Sequence, residues 1–181
     1  MPRLTAKHLA TRLRAIRLFL CDVDGVMTDG TVWIGAEGEF KRFSIQDGLG
    51  LRLLQKNGIK VGWISNRPST ATTARAKELQ VDFLCQQTGK PTKVAAAEEV
   101  LAKTGLAWKD VCYLGDDIVD LAVLERAGLA VAVANGIAEV KRAAHYVTKA
   151  HGGHGAVREI AELILKAQGK WKQIINEHRG A

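Results

Sequence analysis

An α/β fold is the class this sequence predicts: a mostly parallel central sheet with helices on both faces, in a three-layer, Rossmann-like arrangement. Three observations lead there. From Arg17 onward, short apolar runs alternate with helical patterns. The runs "RLFLCD", "IKVGWIS" and "VCYLG" are apolar at nearly every position, as strands covered on both faces are. A helical pattern separates successive runs, which is what parallel neighbours require. The chain has 181 residues, 47% of them hydrophobic and 25% charged. That length fits a single domain over residues 1–181 with a sizeable core.

The elements follow in order. "MPRLTAKHLATRLRAI" lacks the apolar stretch of a secretory signal and reads as an amphipathic helix, with Leu9, Leu13 and Ile16 on one face; a transit peptide is the alternative. "RLFLCD" is the first strand. "TVWIGAEGEFKRFSI", about residues 31–45, is a projecting β-hairpin with its turn between Gly35 and Gly38. "GLGLRLLQKNG" is a helix that Gly58 can cap. "IKVGWIS" is a strand, and "STATTARAKELQ" a helix with Ser69 or Thr70 at its N-cap. "VDFLC" is a strand, and "KPTKVAAAEEVLAKTG" a helix with Pro91 in its first turn. "VCYLG", "DIVDLAVLERAG" and "LAVAVA" give strand, helix, strand. "GIAEVKRAA", "HYVT" and "GAVREIAELILKAQG" give helix, strand and final helix. The C-terminal helix and tail occupy about 155–181, and the last ten residues, "KQIINEHRGA", are expected to fray.

Composition narrows the function. No apolar stretch reaches the roughly 18 residues that span a bilayer, so no membrane partner is expected. Cys21, Cys85 and Cys112 lack metal-ligand spacing and sit in apolar runs, so they read as buried thiols in a reducing cytoplasm. The net charge of +7 is concentrated at the two ends of the chain. It reads as a solvated surface, with an anionic substrate or nucleic acid as the alternative. No aromatic-basic motif supports nucleic acid.

Ligands of open parallel sheets bind beyond the carboxyl ends of the strands. Those ends here carry Asp22 and Asp24, then Ser65, Asn66 and Arg67, then Asp116 and Asp117. Lys93 lies near the start of the helix after the third strand of the sheet. Clustered carboxylates need a cation, or one of them stays protonated. Mg²⁺ suits oxygen ligands and commonly takes one or two carboxylates together with a substrate phosphate. A hydroxyl and an ammonium can hold the remaining phosphate oxygens.

The segments "DVDGV", "ISN", a downstream lysine and "GDDIVD", in that order, resemble the four motifs of the haloacid dehalogenase superfamily of phosphohydrolases. The resemblance runs from about Arg17 to Gln168. Within it, "DVDGVMTDG", "QDGLG", "GDDIVDLAVLERAG" and "GGHGAVREI" are similar to the 3-deoxy-D-manno-octulosonate 8-phosphate phosphatase family. The resemblance implies Asp22 as the nucleophile that forms an aspartyl phosphate, and Asp24 as general acid and base. It implies Mg²⁺ held by Asp22, Asp116 and the backbone carbonyl of Asp24, with Asp117 and Asp120 orienting the metal site. Ser65, the Asn66 N–H and Lys93 would bind the phosphoryl group. Ser44, Arg52, Arg67 and Arg75 would bind the sugar acid. Three positions depart from the family pattern, which often has glycine at Asn66, asparagine at Ser44 and a basic side chain at His154. His151 and His154 read as flexible-loop residues near the pocket rather than a metal pair.

Many relatives close the pocket with an inserted cap domain. Here 42 residues separate Asp22 from Ser65 and 27 separate Ser65 from Lys93, all used by the hairpin, helices and strands. Val32, Trp33, Ile34, Phe40, Phe43 and Ile45 make the hairpin more apolar than an exposed one requires. It either packs on a neighbouring subunit, as in the tetramers of the resembling family, or folds back on its own sheet. Lys41 and Arg42 add positive charge but point to opposite faces. The expected activity is Mg²⁺-dependent hydrolysis of a phosphorylated sugar acid in lipopolysaccharide precursor synthesis, by a cytoplasmic homotetramer. The alternatives are a phosphatase of another nonulosonate or sugar phosphate, and a catalytically silent tetramerisation domain.

Overall fold

The computed structural model describes residues 5–36, 38–87 and 92–180. Its elements in chain order are α1 (Ala6–Ala15), β1 (Leu18–Cys21), β2 (Trp33–Gly35), β3 (Gly38–Phe40), α2 (Ile45–Lys56), β4 (Lys60–Ser65), α3 (Thr70–Glu78) and β5 (Phe83–Gln86). There follow α4 (Lys93–Thr104), β6 (Val111–Gly115), α5 (Leu121–Leu124), β7 (Leu129–Ala132), α6 (Ala138–Ala143), β8 (Tyr146–Val147), α7 (Ala156–Ala167) and α8 (Trp171–His178).

Six strands form one sheet in the order β5-β4-β1-β6-β7-β8, and every pairing within it is parallel. The chain runs from β1 outward through β4 and β5, then returns to the other side of β1 for β6, β7 and β8. The strand order therefore reverses at β1, and a crevice opens at its carboxyl end. Alternation along β1 feeds two cores. Phe19 and Cys21 pack with residues of α1, α2, α3, α7 and α8. Leu18 and Leu20 pack with α4, α5 and α6. These are the two helical layers expected from the apolar runs. All three cysteines are free thiols, Cys21 and Cys112 fully buried.

Local chemistry sets the helix boundaries. Thr5, Ser44, Ser69 and Thr92 each accept a backbone N–H from the first turn of the helix that follows. Ser69, not Thr70, is thus the cap of α3. Asn57 ends α2, and Gly58 follows it with φ 82°. The turn containing Glu37 and the helix lead-in at Pro91 lie outside the described residues.

Three expectations are corrected. "DIVDLAVLERAG" is not one helix but a 3₁₀ turn over Ile118–Asp120 followed by the single α-turn of α5. The Asp120 carboxylate folds back to accept the Asp116 and Asp117 N–H groups, which holds the tighter turn. The described end of the chain is not an unstructured tail but the helix α8, which buries Ile174, with Trp171 under Arg158 and Lys166 at 5.5 and 5.1 Å from its ring centroid. The hairpin strands end at Phe40, because Ser44 caps α2 and makes Ile45 its first residue.

The hairpin forms its own two-stranded sheet, with Trp33 opposite Phe40. Trp33 is 73% exposed and Ile34 82%, so both side chains of β2 are bare, while Glu39 opposite Ile34 on β3 is held by the Ser69 hydroxyl at the start of α3. Phe43 differs, stacking on the buried Trp63 ring with centroids 6.2 Å apart. No described helix is long and apolar enough to cross a membrane.

Candidate active site

The site forms around the end of β1. Asp22 is the first residue past that strand, and its N–H continues the ladder by bonding the Leu114 carbonyl. The side chain is buried, with Oδ1 accepting the Val23 N–H at 2.6 Å and Oδ2 lying 2.7 Å from Lys93 Nζ. Burial, and then the nearby Asp120 charge, push its carboxyl up to about 6 against the pull of Lys93.

Lys93 opens α4 and reaches across to the sheet. Its ammonium is buried between Asp22 and Asp120, 2.8 Å from Asp120 Oδ1. Burial alone would lower its pKa, but Asp120 and Asp22 outweigh it and hold Lys93 charged. The Tyr113 hydroxyl also donates to Asp120 Oδ1, at 2.7 Å. With the Asp116 and Asp117 N–H groups on Oδ2, Asp120 is saturated with donors. It acts as a fixed post for Lys93 and for the loop that carries Asp116.

Oxygens of Asp22, Asp116 and Asp120 lie within 4.8 Å of one another. Asp116 Oδ1 is buried and has no hydrogen-bond partner. Burial first, then Asp120 and Asp22, push its carboxyl up to about 8. When all three carboxylates are ionised, the one ammonium beside them leaves two negative charges, the charge that a divalent cation carries, and without such an ion the raised Asp116 carboxyl keeps its proton at neutral pH. Space for such an ion is protected by Gly25. It has φ +90°, and a Cβ there would sit 2.1 Å from Asp116 Oδ2. The donor set is all oxygen, the hard-ligand chemistry of Mg²⁺. Asp117 does not join the cluster: it is exposed, and its Oδ1 caps the following turn at the Ile118 N–H.

Ser65 ends β4 next to β1. Its hydroxyl accepts the Arg67 N–H at 3.1 Å and is buried. Ser65, Asn66 and Lys93 line one small cleft. A strand-end carboxylate, a hydroxyl, an ammonium and a cluster of oxygen donors thus share one rim.

Residues 88–160 match the family model of haloacid dehalogenase-like hydrolases. The chain is also 42% identical over 166 residues to the 3-deoxy-D-manno-octulosonate 8-phosphate phosphatase KdsC of Yersinia pestis, which covers 91% of this chain and 88% of that protein. This chain is a haloacid dehalogenase-like hydrolase. Two solved structures resemble the hydrolase closely. One is a 3-deoxy-D-manno-octulosonate 8-phosphate phosphatase from Moraxella catarrhalis in complex with a magnesium ion, a phosphate ion and a KDO molecule. It is 37% identical with a TM-score of 0.92, over 96% of this chain and 99% of that one. The other is the cobalt-bound form of the Haemophilus influenzae deoxy-D-mannose-octulosonate 8-phosphate phosphatase. It is 38% identical with a TM-score of 0.84, over 88% and 92%.

The hydrolase does not gather all four sugar-acid candidates around Asp22. Arg52 donates to the Leu79 carbonyl, at the end of α3 remote from the rim where that helix begins. Arg75 bonds Glu78 and the Ser44 carbonyl, tying α3 to the start of α2. Ser44 Oγ is occupied as the cap of α2. Arg67 remains at the rim, half exposed, and pairs with Glu39 of the hairpin.

Several residues escaped the sequence reading. Lys41 turns inward to Asp24, while Arg42 turns outward to Asp29 and His154, as opposite faces require. Asp47 is buried and accepts the N–H groups of Gly155 and Arg158, capping α7 from another helix. The "QDG" motif was its signal, although a buried cap could not be told from a surface one. The glycines beside His154 are packed, and the exposed His154 ring is hydrogen-bonded rather than free. Gly153 donates to the Val26 carbonyl, and a Cβ on Gly152 would lie 1.7 Å from the Gly25 oxygen. His154 Nδ1 lies 3.0 Å from the Gly152 carbonyl, which makes it the protonated nitrogen and leaves Nε2 to accept from Arg42. Neither His151 nor His154 belongs to the acidic cluster.

Proposed function

We propose that this chain is an Mg²⁺-dependent phosphatase that hydrolyses 3-deoxy-D-manno-octulosonate 8-phosphate to the free octulosonate, KDO, and inorganic phosphate. It would serve lipopolysaccharide precursor synthesis in the cytoplasm as a single capless domain. The observation that carries the reading is the convergence of Asp22, Asp116 and Asp120 on one another beside Lys93, which pairs with Asp22 and Asp120 and leaves the Asp116 oxygen unpartnered.

In this reading an oxygen of the Asp22 carboxylate attacks phosphorus. The bond from phosphorus to the sugar oxygen breaks, and that oxygen takes a proton from the Asp24 carboxyl. A water then gives a proton back to Asp24 and attacks the phosphorus of the aspartyl phosphate. The P–O bond to Asp22 breaks, phosphate leaves and the carboxylate is restored. Asp22, Asp116 and the Asp24 carbonyl would hold Mg²⁺, whose charge offsets that of the transferring phosphoryl group. Ser65, the Asn66 N–H and Lys93 bind the non-reacting phosphoryl oxygens. Asp120 holds Lys93 and the Asp116 loop in place. Arg67 is the arginine at the rim and the first candidate for the sugar carboxylate, once Glu39 releases it.

A panel of phosphorylated sugar acids assayed with Mg²⁺ tests the reading. The expected result is highest kcat/KM on the eight-carbon substrate and no turnover by Asp22→Asn. Preference for a nine-carbon acid phosphate would move the assignment to a sister activity. An Asp22→Asn variant as active as the parent would overturn it.

A further inference from the structure

The conversion assigned to this site needs a carboxyl at Asp24 that first gives and then takes a proton at one fixed place. Asp24 lies in the turn that follows β1, with 24% of its side chain open to solvent. An aspartate so placed can rotate about χ1. What holds it comes from the hairpin. Lys41 directly follows β3 by one residue, and its side chain is fully buried. Its ammonium lies 2.7 Å from Asp24 Oδ1 and 3.0 Å from Oδ2, gripping both oxygens. The hydrogen bond goes to Oδ2, and the buried Oδ1 has the ion-pair approach of Lys41 with no hydrogen bond from any described residue. The ammonium is itself fixed from behind, by the buried Thr72 hydroxyl of α3 at 3.2 Å and by the Glu39 carboxylate at 3.6 Å.

Burying an ammonium is costly unless it is paired, and long side chains lose conformational entropy when ordered. An exposed orientation was open to Lys41, since its neighbour Arg42 takes one. Lys41 is instead the link between three separate segments: the loop after β1, the exit of the hairpin and the first turns of α3. We propose that Lys41 is the positioning residue for Asp24, aiming its carboxyl at the leaving oxygen and then at the hydrolytic water. The proposal rests on the phosphatase reading for the role of Asp24. It adds that the hairpin carries part of the catalytic apparatus as well as apolar surface.

The test uses Lys41→Met, which keeps chain length and removes the charge, with folding followed by circular dichroism. p-Nitrophenyl phosphate separates the steps, because its leaving group needs no proton while the second step still needs Asp24. On the sugar-acid phosphate, kcat should fall at least about tenfold, a fraction of what general acid–base groups supply, with KM changed less than about threefold. On p-nitrophenyl phosphate, the first turnover should stay within about threefold of the parent and later turnovers should slow, giving a burst. In an Asp24→Asn background, adding Lys41→Met should change these rates less than about twofold, since a residue acting through another has nothing left to act on.

Should Lys41→Met fail to fold, Lys41→Gln keeps a donor toward Asp24 and should show the same pattern in weaker form. Equal loss on all steps, a loss confined to KM, or full additivity with Asp24→Asn would overturn the proposal. If the parent hydrolyses p-nitrophenyl phosphate with Mg²⁺ but no sugar-acid phosphate, the substrate reading fails while the Lys41 comparison still decides.

Discussion

Asp120 takes four donors on its two oxygens: the Lys93 ammonium, the Tyr113 hydroxyl and two backbone N–H groups. Asp120→Asn keeps the size but removes the charge, and half of its acceptor capacity becomes donor. Breaking a buried pair in this way typically costs about 3–5 kcal/mol. The denaturation midpoint should fall accordingly, and phosphatase activity should fall with it because Lys93 loses its post. A variant as stable and active as the parent would remove Asp120 from the site. Another single residue sets a pH response. Burial, reinforced by Arg12, pushes the His145 imidazole down to about 4, and its Nδ1 accepts the Ala130 N–H at 2.9 Å. The unfolded chain takes up that proton near 6.5, while the folded chain refuses it until about 4. Stability is therefore lost as pH falls between those values and is unaffected above them. Urea titrations should show that loss in the parent and a shallower one in His145→Gln. At this scale the sequence was legible wherever a strand end fixed direction, as at Asp22, Ser65 and Asp116. It was not legible at Asp117 and Asp120, two carboxylates at the start of one helix pattern. Only the 3₁₀ turn decides that one faces solvent and the other the core.

Helices and loops hold the rim together through side chains that cap elements other than their own. Asp47 of α2 accepts from Gly155 and Arg158 at the start of α7, at 3.1 and 2.7 Å. Those N–H groups have no partner within their own helix. Asp47→Ala leaves them unpaired, at a cost of about 1–3 kcal/mol. It should also loosen the glycine loop at 152–155, seen as faster amide exchange at Gly153. Unchanged exchange with a lowered midpoint would confine Asp47 to stability. The same logic explains why the directions of Arg52 and Arg75 were not legible in the sequence. A helix residue's direction depends on what the helix packs against, and both arginines are used to join α2 with α3. Lys41 was unreadable for a related reason. The sequence allowed either Lys41 or Arg42 to face inward, and only the path of the chain between β3 and α2 selects Lys41.

Over the whole molecule, the alternation of apolar runs and helical patterns was enough to predict the sheet and its two helical layers, because fully covered parallel strands must be apolar throughout. The order of the strands and the extra helix α8 were not visible: α8 depends on Ile174 finding a pocket among distant residues. The hairpin leaves Trp33, Ile34 and Phe40 exposed on a two-stranded ribbon, which is marginal alone. We propose that copies of the chain pack through these ribbons in a homotetramer and wall one another's pockets. Light scattering should report that assembly for the parent and a smaller species for Trp33→Asp with Ile34→Asp. A monodisperse, fully active parent monomer would contradict it.

Rapid acid quench during turnover of a ³²P-labelled sugar-acid phosphate, followed by peptide mapping, tests the central claim most directly. Mg²⁺-dependent label on the peptide containing Asp22, lost in Asp22→Asn and Asp116→Asn, is the predicted result. Turnover that proceeds with no label on that peptide, or label that forms equally well without a divalent cation, would contradict the account.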